Sequence, residues 1–476
     1  VVEQPLGHRR GNTPVAEAVA ERLLDDDRLQ ELVPELALPD EVRVEYRERA
    51  RDYLAALLRQ NGRSGSGGIE LTQDAVLSGE IGLRLVERDK RAREQRLWSC
   101  LQVAPGHDVQ LTIDLSLQRV VEDVAELTYD QWLDSGKVDS IGRDKLEVAV
   151  ALIDVWTGDV LALGGQPLRI DGQLRGQPPG LSWRSSGDLG SVAKPFMLLE
   201  QFAATRLLRP HKELAEFQQC LKFYKKVAGR TLQCMHAHGE LGRDPVQAIA
   251  ESCNTFFFQV AEGLEQDGVQ RALRRVGLVP PEAGVDEFAA GTWQPRPPEL
   301  TEGMAPAPRL RGTAPVQMRG IGYDEQASPL AVARAYAALC SGFLPALALT
   351  RGPAREGVPL DVLPAELETV RTGLRECVLH GSASPAKVPG LQRHGVLGKT
   401  GTAEVSKRGD NNAWFAGYLA QPSLGGVQLA FAAVVYHVPD KYYGGVVAGQ
   451  FLCAILDRIA ADPLLAHRYL DPEAPR

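Results

Sequence analysis

The sequence lacks a long hydrophobic run. No stretch approaches the roughly 18 consecutive apolar residues that a helix needs to cross a bilayer, and no signal peptide opens the chain. The first residue is Val1 rather than methionine, so we expect a processed chain. The absence of an anchor in this chain therefore says little about the native protein.

An excess of positive charge is also lacking. The formal net charge is -8 at pH 7 and the isoelectric point is near 5.7, so the basic face of a nucleic-acid-binding protein is not expected. Cysteine is scarce, and seven cysteines among 476 residues do not form a dense disulfide framework. Hydrophobic residues make up 44% of the chain, which is enough for a large core.

Residues 1–108 are rich in charged residues and predict a small N-terminal domain. The stretches at 15–33 and 44–60 have helical periodicity, and "NGRSGSGG" at 61–68 is a flexible break. Weak strands are expected near the end of this region. The length of the chain allows two or three domains.

Residues 109–476 predict one larger domain that begins and ends in strands. "VQLTI" at 109–113 alternates like a strand, Asp114 and Ser116 are candidate helix caps, and 146–165 predicts a β-hairpin with its turn at Thr157 and Gly158. Residues at about 195–345 look mostly helical, with a proline-rich loop at 294–312. Three strands and a final helix at 444–461 follow. This order predicts an α/β domain whose sheet carries a helical insertion.

Ser191 and Lys194 lie three residues apart in "GSVAKPF". Proline is tolerated in the first turn of a helix, so Pro195 predicts that a helix begins within a few residues of Ser191. Positions i and i+3 share a helix face, which predicts that Lys194 reaches the Ser191 hydroxyl as its base. A loop that leads into an amphipathic helix would also explain this sequence. The same spacing recurs at Ser384 and Lys387, in a segment that we interpret as a loop.

Two further patterns follow along the chain. Ser252 and Asn254 flank Cys253 between two apolar stretches, which predicts a polar turn between helices. "GVLGKTGTAEV" predicts a strand that carries Lys399, Thr400, Gly401 and Thr402. Glycine inside a strand marks a close approach by a ligand or another backbone, so this strand suits an extended anionic substrate. A phosphate-binding loop is excluded because no helix follows the lysine.

The ordered motifs SxxK, SxN and KTG resemble the signature of penicillin-interacting serine acyltransferases. From about Leu111 onward, "SVAKPF", "SCNTFFFQVA", "GKTGTAE" and "NAWFAGYLA" resemble the transpeptidase domain of penicillin-binding proteins. "LSGEIG" at 77–82 resembles the end of the non-catalytic pedestal of the monofunctional (class B) enzymes. The resemblance implies an α+β fold, with an antiparallel sheet flanked by N- and C-terminal helices, a helical subdomain and a pedestal.

The resemblance also implies peptidoglycan D,D-transpeptidase activity and acylation by β-lactams. Ser191 would attack the bond between two terminal D-alanines, with Lys194 as base. Ser252 would pass a proton to the leaving amine and Asn254 would hold the substrate amide. The remaining assignments concern the KTG strand: its Lys399 would keep Lys194 neutral, its Thr400, Gly401 and Thr402 would bind the terminal carboxylate, and the backbone amides of Ser191 and Thr402 would form the oxyanion hole.

Cys220, Cys234, His238 and Cys253 lie between the first and second motifs. Three thiols and an imidazole make a tetrahedral zinc set, which would fix the loop that carries Ser252 and Asn254. His236 competes with His238 as the fourth ligand. A Cys220–Cys234 disulfide or unrelated buried thiols explain the same residues. Some elongation-type family members resemble this set in the histidine and in the motif cysteine, which favours elongation over division.

The resemblance leaves three other functions open. A D,D-carboxypeptidase would transfer the acyl group to water, a serine β-lactamase would need a further base for deacylation, and an inactive scaffold would only bind partners. The implied location is the extracytoplasmic face of the bacterial inner membrane, with the anchor outside this chain. The implied partners are stem peptides and a membrane-embedded glycosyltransferase, and no cofactor is needed for the chemistry.

Overall fold

The computed structural model describes residues 68–78, 83–88, 90–91, 93–101, 105–134, 146–166, 169–170, 173–174, 181–184, 187–207, 217–227, 229–279, 314–404, 410–439 and 444–470. The chain divides into two compact units, with the first boundary between Gln110 and Leu111. The helices expected at 15–33 and 44–60 lie outside the described residues, as do 61–67 of the flexible break, 79–82 of the pedestal-like segment and the proline-rich loop.

The described part of the first unit contains two short helices and a hairpin. They are α1 (Gly68–Thr72), α2 (Asp74–Leu77), β1 (Leu83–Arg88) and β2 (Glu94–Leu101). The two strands pair antiparallel with two shifts of register, which agrees with the strands expected near the end of this region. The His107 amide also donates to the Val76 carbonyl.

The second unit contains the remaining elements. Its helices are α3 (Leu115–Asp134), α4 (Leu181–Arg184), α5 (Lys194–Leu207), α6 (Pro245–Ala250), α7 (Asn254–Arg275), α8 (Val316–Arg319), α9 (Pro329–Ser341), α10 (Pro364–Leu379), α11 (Gly444–Ala461) and α12 (Pro463–Tyr469). Its strands are β3 (Glu147–Asp154), β4 (Val160–Gln166), β5 (Arg169–Ile170), β6 (Gln173–Leu174), β7 (Gly187–Asp188), β8 (Phe223–Val227), β9 (Arg230–Gln233), β10 (Gln326–Ala327), β11 (Phe343–Leu344), β12 (Val358–Pro359), β13 (Val396–Glu404), β14 (Asp410–Leu419) and β15 (Leu429–Pro439).

A five-stranded antiparallel sheet, in the order β13-β14-β15-β3-β4, forms the centre of the second unit. The predicted hairpin is confirmed as β3 and β4, and Gly158 in its turn has a φ of 72° that suits glycine. The strands predicted in the C-terminal part are confirmed as β13, β14 and β15. β13 lies at one edge of the sheet, so one side of its backbone has no strand partner among the described residues.

Helices cover both faces of this sheet, which explains why its strands are apolar at nearly every position. α3 packs on β4, and α11 packs on β13, β14 and β15. Alternate strand residues such as Val150, Phe415 and Phe431 form one core with these two helices. α9 contacts β3, β14 and β15, where the intervening residues, such as Ala151 and Val434, are also buried. The α+β class with flanking N- and C-terminal helices is confirmed.

Asp114 caps α3, as the sequence predicts, by accepting hydrogen bonds from the amides of Ser116 and Leu117. The strand predicted immediately before it is wrong. That segment makes one isolated bridge, from Leu111 to Thr350, and the Thr112 hydroxyl donates to the carbonyl oxygens of Val160 and Ala348. Thr112 is buried while Leu111 is 38% exposed, so the alternating apolar residues of this segment do not form a buried strand face.

The helical insertion is confirmed in its main elements and corrected in one. α5, α6, α7 and α9 occupy the expected region, but β8 and β9 form an antiparallel hairpin inside it. The hairpin strands are mostly exposed, so their sequence has little of the apolar alternation that identifies a half-buried strand. Cys234 directly follows β9, and the hairpin thus places it beside the turn between α6 and α7.

Candidate active site

Ser191 lies in a 3-10 turn, Gly190–Ala193, that leads directly into α5. Pro195 is the second residue of α5, where a missing amide hydrogen costs no helical bond. The predicted helix start near Ser191 is therefore confirmed. The difference is that Ser191 precedes the α-helix, and the Lys194 amide closes the turn on the Ser191 carbonyl.

Lys194 is fully buried, and its Nζ makes three hydrogen bonds to the second motif. It donates to Ser252 O at 2.8 Å, Ser252 Oγ at 3.1 Å and Asn254 Oδ1 at 2.7 Å. Among the described residues, none of the Lys194 hydrogen bonds goes to Ser191, which differs from the contact that the i, i+3 spacing predicts. An ammonium group has three hydrogens to donate, and the three oxygens of the second motif accept all three from Lys194.

Burial is the main cause that lowers the pKa of Lys194 to about 7, and the charge of Lys399 acts in the same direction. A lysine in this environment is neutral for a substantial fraction of the time near neutral pH. A neutral amine can accept a proton from a nearby hydroxyl, as a general base must. The local electrostatics therefore suit proton transfer at this position.

Ser252 and Asn254 lie at the junction of α6 and α7, as predicted. Asp244 caps α6 through hydrogen bonds from the amides of Val246 and Gln247, and Asn254 is the first residue of α7. Ser252 has a φ of 58°, an uncommon conformation for a residue with a Cβ. Because such strain persists only where the surroundings enforce it, this turn is held in one geometry.

Lys399, Thr400, Gly401 and Thr402 lie on β13, the edge strand. Lys399 is fully buried and its Nζ donates to Thr400 O at 3.2 Å and to Thr400 Oγ1 at 3.3 Å. Burial lowers the pKa of Lys399 as well. The side of β13 without a strand partner exposes backbone groups that an extended chain can pair with.

β13 lies directly against the turn that carries Ser191. A Cβ added to Gly190 would lie 2.7 Å from Thr402 O, and one added to Gly401 would lie 2.9 Å from Val192 Cγ1. The sequence-based interpretation of Gly401 as a point of close approach is therefore confirmed, and the approaching group is protein. The three motifs converge at one place in the fold.

A second support for the Ser191 turn was not predicted from the sequence. The Gly190 amide donates to Gly322 O at 3.0 Å and the Leu189 amide donates to Glu325 O at 2.9 Å. Arg319 and Glu325 form an ion pair in which both side chains are 1% exposed, and burial raises the pKa of Glu325 to about 7. No local pattern in the sequence connects Arg319 and Glu325 to Ser191.

The four predicted metal ligands come together beside this site. One ligand atom from each of Cys220, Cys234, His238 and Cys253 lies within 4.8 Å of the others. Ligands about 2.3 Å from a tetrahedral zinc ion are separated by less than this distance. The three cysteines are buried free thiols, so the Cys220–Cys234 disulfide is not formed. His238 rather than His236 is the histidine in the cluster.

The thiols and the imidazole of this cluster shift one another's protonation. A hydrogen bond from Cys253 is the main cause that lowers the pKa of the Cys234 thiol, and the bond between Cys234 and His238 raises the pKa of that imidazole to about 9. Cys234 Sγ also accepts the Asn254 amide hydrogen bond at 3.3 Å. A thiolate is the form in which cysteine binds zinc. The Cys234 sulfur also directly contacts the second motif through Asn254.

Residues 148–457 match the family described as the penicillin-binding protein transpeptidase domain. The chain belongs to the penicillin-binding protein transpeptidase family. Among curated proteins, it is 25% identical over 406 residues to peptidoglycan D,D-transpeptidase FtsI of Escherichia coli strain K12, with 82% of this chain and 62% of that protein covered. It is 27% identical over 236 residues to MrdA of the same strain, with 45% of this chain and 33% of that protein covered.

A solved structure of the complex between penicillin-binding protein PBP2 and MreC from Helicobacter pylori has the same fold. The TM-score is 0.62 at 17% identity, with 85% of this chain and 74% of that chain covered. The penicillin-binding protein chain described here spans less than two thirds of the length of the curated relatives named above. None of the described helices of this penicillin-binding protein is long and apolar enough to cross a membrane.

The loop that contains Ser384 and Lys387 is confirmed as a loop, but it contributes to the site of this penicillin-binding protein. Ser382 Oγ lies 2.6 Å from Thr400 Oγ1, and the Ser382 amide donates to Ala250 O at 3.0 Å. The sequence did not predict Ser382, because the SxxK spacing in this segment marks only Ser384 and Lys387. Its position directly after a helix end, in a run of small polar residues, was the available signal.

A second group of possible metal ligands lies near the end of α11. His394, Cys453 and Asp457 converge there, and His394 Nε2 lies 2.7 Å from Asp457 Oδ1. Arg393 also pairs with Asp457 at 3.4 Å. The Asp457 carboxylate is thus already balanced by neighbouring side chains, and the guanidinium repels a cation. This group is best explained as an ion-pair network.

Proposed function

We propose that this chain is a peptidoglycan D,D-transpeptidase domain that acts through an acyl-enzyme on Ser191. The observation that carries the proposal is the environment of Lys194, which is fully buried, has a pKa lowered to about 7, and is bonded to Ser252 and Asn254. A buried amine of this kind next to a serine at a helix start has the properties of a general base. The curated relatives FtsI and MrdA are named peptidoglycan D,D-transpeptidases.

In the acylation step, Ser191 Oγ attacks the carbonyl carbon between two terminal D-alanines. Lys194 Nζ takes the hydroxyl proton as the new C–O bond forms. The C–N bond of the peptide then breaks, and Ser252 Oγ, which is 3.1 Å from Lys194 Nζ, passes the proton to the leaving D-alanine amine. An amine of a neighbouring stem peptide accepts the acyl group from Ser191 in the second step.

The remaining motif residues bind the substrate in this proposal. Thr400, Gly401 and Thr402 on the edge strand receive the terminal carboxylate, and the charge of Lys399 favours that anion. The amides of Ser191 and Thr402 form the oxyanion hole, where one donor is typically worth about 2.7–4 kcal/mol. Asn254 holds the substrate amide while its Oδ1 fixes Lys194. β-Lactams acylate Ser191 by the same route.

We further propose a structural zinc ion held by Cys220, Cys234, His238 and Cys253. The donor set and the convergence of its atoms support this assignment. The ion would fix Cys253, and with it the neighbouring Ser252 and Asn254, without taking part in proton transfer. Zinc at this position would favour a function in cell elongation over one in division, which is the direction that the sequence suggests.

The proposal for the rest of the protein follows the relatives. Residues 1–108 would form a non-catalytic pedestal, and residues 109–476 would form the transpeptidase domain with its helical insertion at about 195–345. The domain would work at the extracytoplasmic face of the bacterial inner membrane, with stem peptides as substrate and a glycosyltransferase as partner. The structural relative was solved with MreC, which makes a protein similar to MreC a candidate partner here.

The test is the fate of a benzylpenicillin adduct, followed by intact mass over hours. A lasting adduct that is absent from Ser191→Ala is expected for a transpeptidase. Rapid loss of the adduct with hydrolysis of the drug would identify a β-lactamase, and no adduct would identify a scaffold. A D,D-carboxypeptidase would be distinguished by release of D-alanine from a stem peptide without an acceptor amine.

A further inference from the structure

Thr400 is connected to a buried thiol through one serine. Ser382 Oγ lies 2.6 Å from Thr400 Oγ1 and 3.2 Å from Cys377 Sγ. Cys377 is fully buried and Thr400 is 8% exposed. The three side chains form a continuous hydrogen-bonded line from the interior of α10 to β13.

The loop that carries Ser382 is fixed on both sides. The Ser382 amide donates to Ala250 O at 3.0 Å and the Ala383 amide donates to Cys377 O at 2.9 Å. Lys387 Nζ donates to Gly381 O at 3.0 Å, and a Cβ on Gly381 would overlap the Ala250 carbonyl. Ser382 is therefore held between the end of α6, next to the second motif, and the KTG strand.

The number of donors and acceptors decides the direction of these bonds. A hydroxyl has one hydrogen to donate and two lone pairs to accept with. Thr400 Oγ1 already accepts a hydrogen bond from Lys399 Nζ at 3.3 Å. If Ser382 donates to it as well, both lone pairs of Thr400 are used and its own hydrogen is left for a ligand.

Cys377 makes this direction the favourable one. A thiol is a weak donor and a weak acceptor, and Cys377 Sγ is within reach of the Ser382 oxygen. When the thiol donates to Ser382, the Ser382 hydrogen points to Thr400, and each bond polarises the next one. The reverse direction would use the Thr400 hydrogen on Ser382 and leave a lone pair facing an anionic ligand.

We propose that Cys377, Ser382 and Thr400 form a directed hydrogen-bond chain that presents the Thr400 hydroxyl as a donor to the substrate carboxylate. Ser382 is then a positioning residue that acts through Thr400. This inference rests on the proposed function, since it assumes that the terminal carboxylate of the substrate, or that of a β-lactam, binds at the KTG strand.

The test is a double-mutant cycle on the second-order rate constant of acylation by benzylpenicillin. Ser382→Ala is expected to lower the rate constant about fivefold to tenfold, the value of about one neutral hydrogen bond. Thr400→Val keeps the shape of Thr400 without its hydroxyl and is expected to lower it further. If Ser382 acts through Thr400, adding Ser382→Ala to Thr400→Val changes the rate constant less than twofold.

The other outcomes are distinct. Additive losses in the double variant, or an unchanged rate constant in Ser382→Ala, would overturn the directed chain. Ser384→Ala removes a hydroxyl two residues further along the same loop and is the matched control. If Ser382→Ala does not fold, Ser382→Cys keeps the volume with a weaker donor and must show the same non-additivity. A wild-type protein that is not acylated at all would refute the proposed function itself.

Discussion

Lys194 Nζ donates a 2.7 Å hydrogen bond to Asn254 Oδ1 across a separation of 60 residues in sequence. This bond joins the first two motifs and sets the geometry of the Lys194 amine. Asn254 Nδ2 in turn donates to Gln233 O at 3.3 Å, so the carboxamide has its oxygen toward Lys194. The state of Lys194 therefore depends on a side chain from another helix.

Acylation by benzylpenicillin should depend on pH through Lys194. Its pKa is lowered to about 7, so a rise in pH through this value removes the proton and increases the population of the neutral base. We expect the acylation rate constant to rise between pH 6 and pH 8 and then to level off. Stopped-flow kinetics would measure it, with tryptophan fluorescence as the control for folding. A flat profile over this range would exclude Lys194 as the titrating base.

Asn254→Asp should move this profile to higher pH. The substitution preserves shape but places a carboxylate next to Lys194, and an opposite charge at this distance raises a lysine pKa by about one to three units. At pH 7 we expect slower acylation than in wild type, with recovery at alkaline pH. Asn254→Ala is the matched control, since it removes the oxygen without adding charge. Equal profiles for the two variants would contradict the electrostatic explanation.

Gly322→Ala should disturb the turn that carries Ser191. Gly322 has a φ of 89°, and a Cβ there would overlap the Gly190 carbonyl. The backbone conformation alone costs about 1–2 kcal/mol in an alanine, and the overlap adds displacement of Gly190. We expect a lower melting temperature and at least tenfold slower acylation.

Gly229→Ala provides the comparison for this variant. Gly229 has a φ of 78° but open space around its Cβ position, so it carries the conformational cost without the overlap. We expect a modest fall in stability and normal acylation. Thermal unfolding and acylation kinetics on the two variants separate the two effects, and similar acylation in both would show that the Gly190–Gly322 contact does not matter.

Zinc should be present in protein purified without chelator, at one equivalent per chain. Cys234→Ser and His238→Ala each remove one ligand of the proposed site and should lower the zinc content measured by mass spectrometry of the metal. Because Cys253 lies between Ser252 and Asn254, acylation should also slow. Cys453→Ser, in the ion-pair network at the end of α11, should change neither quantity. Metal-free protein that is acylated at the full rate would refute the zinc proposal.

The order of the three motifs was sufficient to predict the α+β fold, since the resemblance rests on letters at defined positions. Pro195 located the start of α5 because proline is confined to the first turn of a helix. Alternation located β3, β4 and the three C-terminal strands. It failed at 109–113, where Leu111 makes a single bridge and its side chain is exposed, so the alternating letters do not mark a buried strand face.

The sequence predicted neither the hairpin of β8 and β9 nor the contact of Ser382 with Thr400, for different reasons. The hairpin is exposed on most positions and therefore carries no periodic apolar signal. Ser382 lies in a short polar loop whose letters are typical of any turn. Its contact with Thr400 arises from the packing of α10 against β13, which no local pattern encodes.

The sequence by itself determined the candidate reactive groups, because a serine, two lysines and an asparagine in this order define the chemistry that is available. It also determined the candidate zinc ligands, since thiols and imidazoles are few and their types are selective. Only the tertiary structure decided that Lys194 is buried against Ser252 and Asn254, that His238 rather than His236 joins the thiols, and that Ser382 reaches Thr400. Burial and charge proximity depend on atoms far apart in the chain, and these set the pKa values on which the chemistry depends.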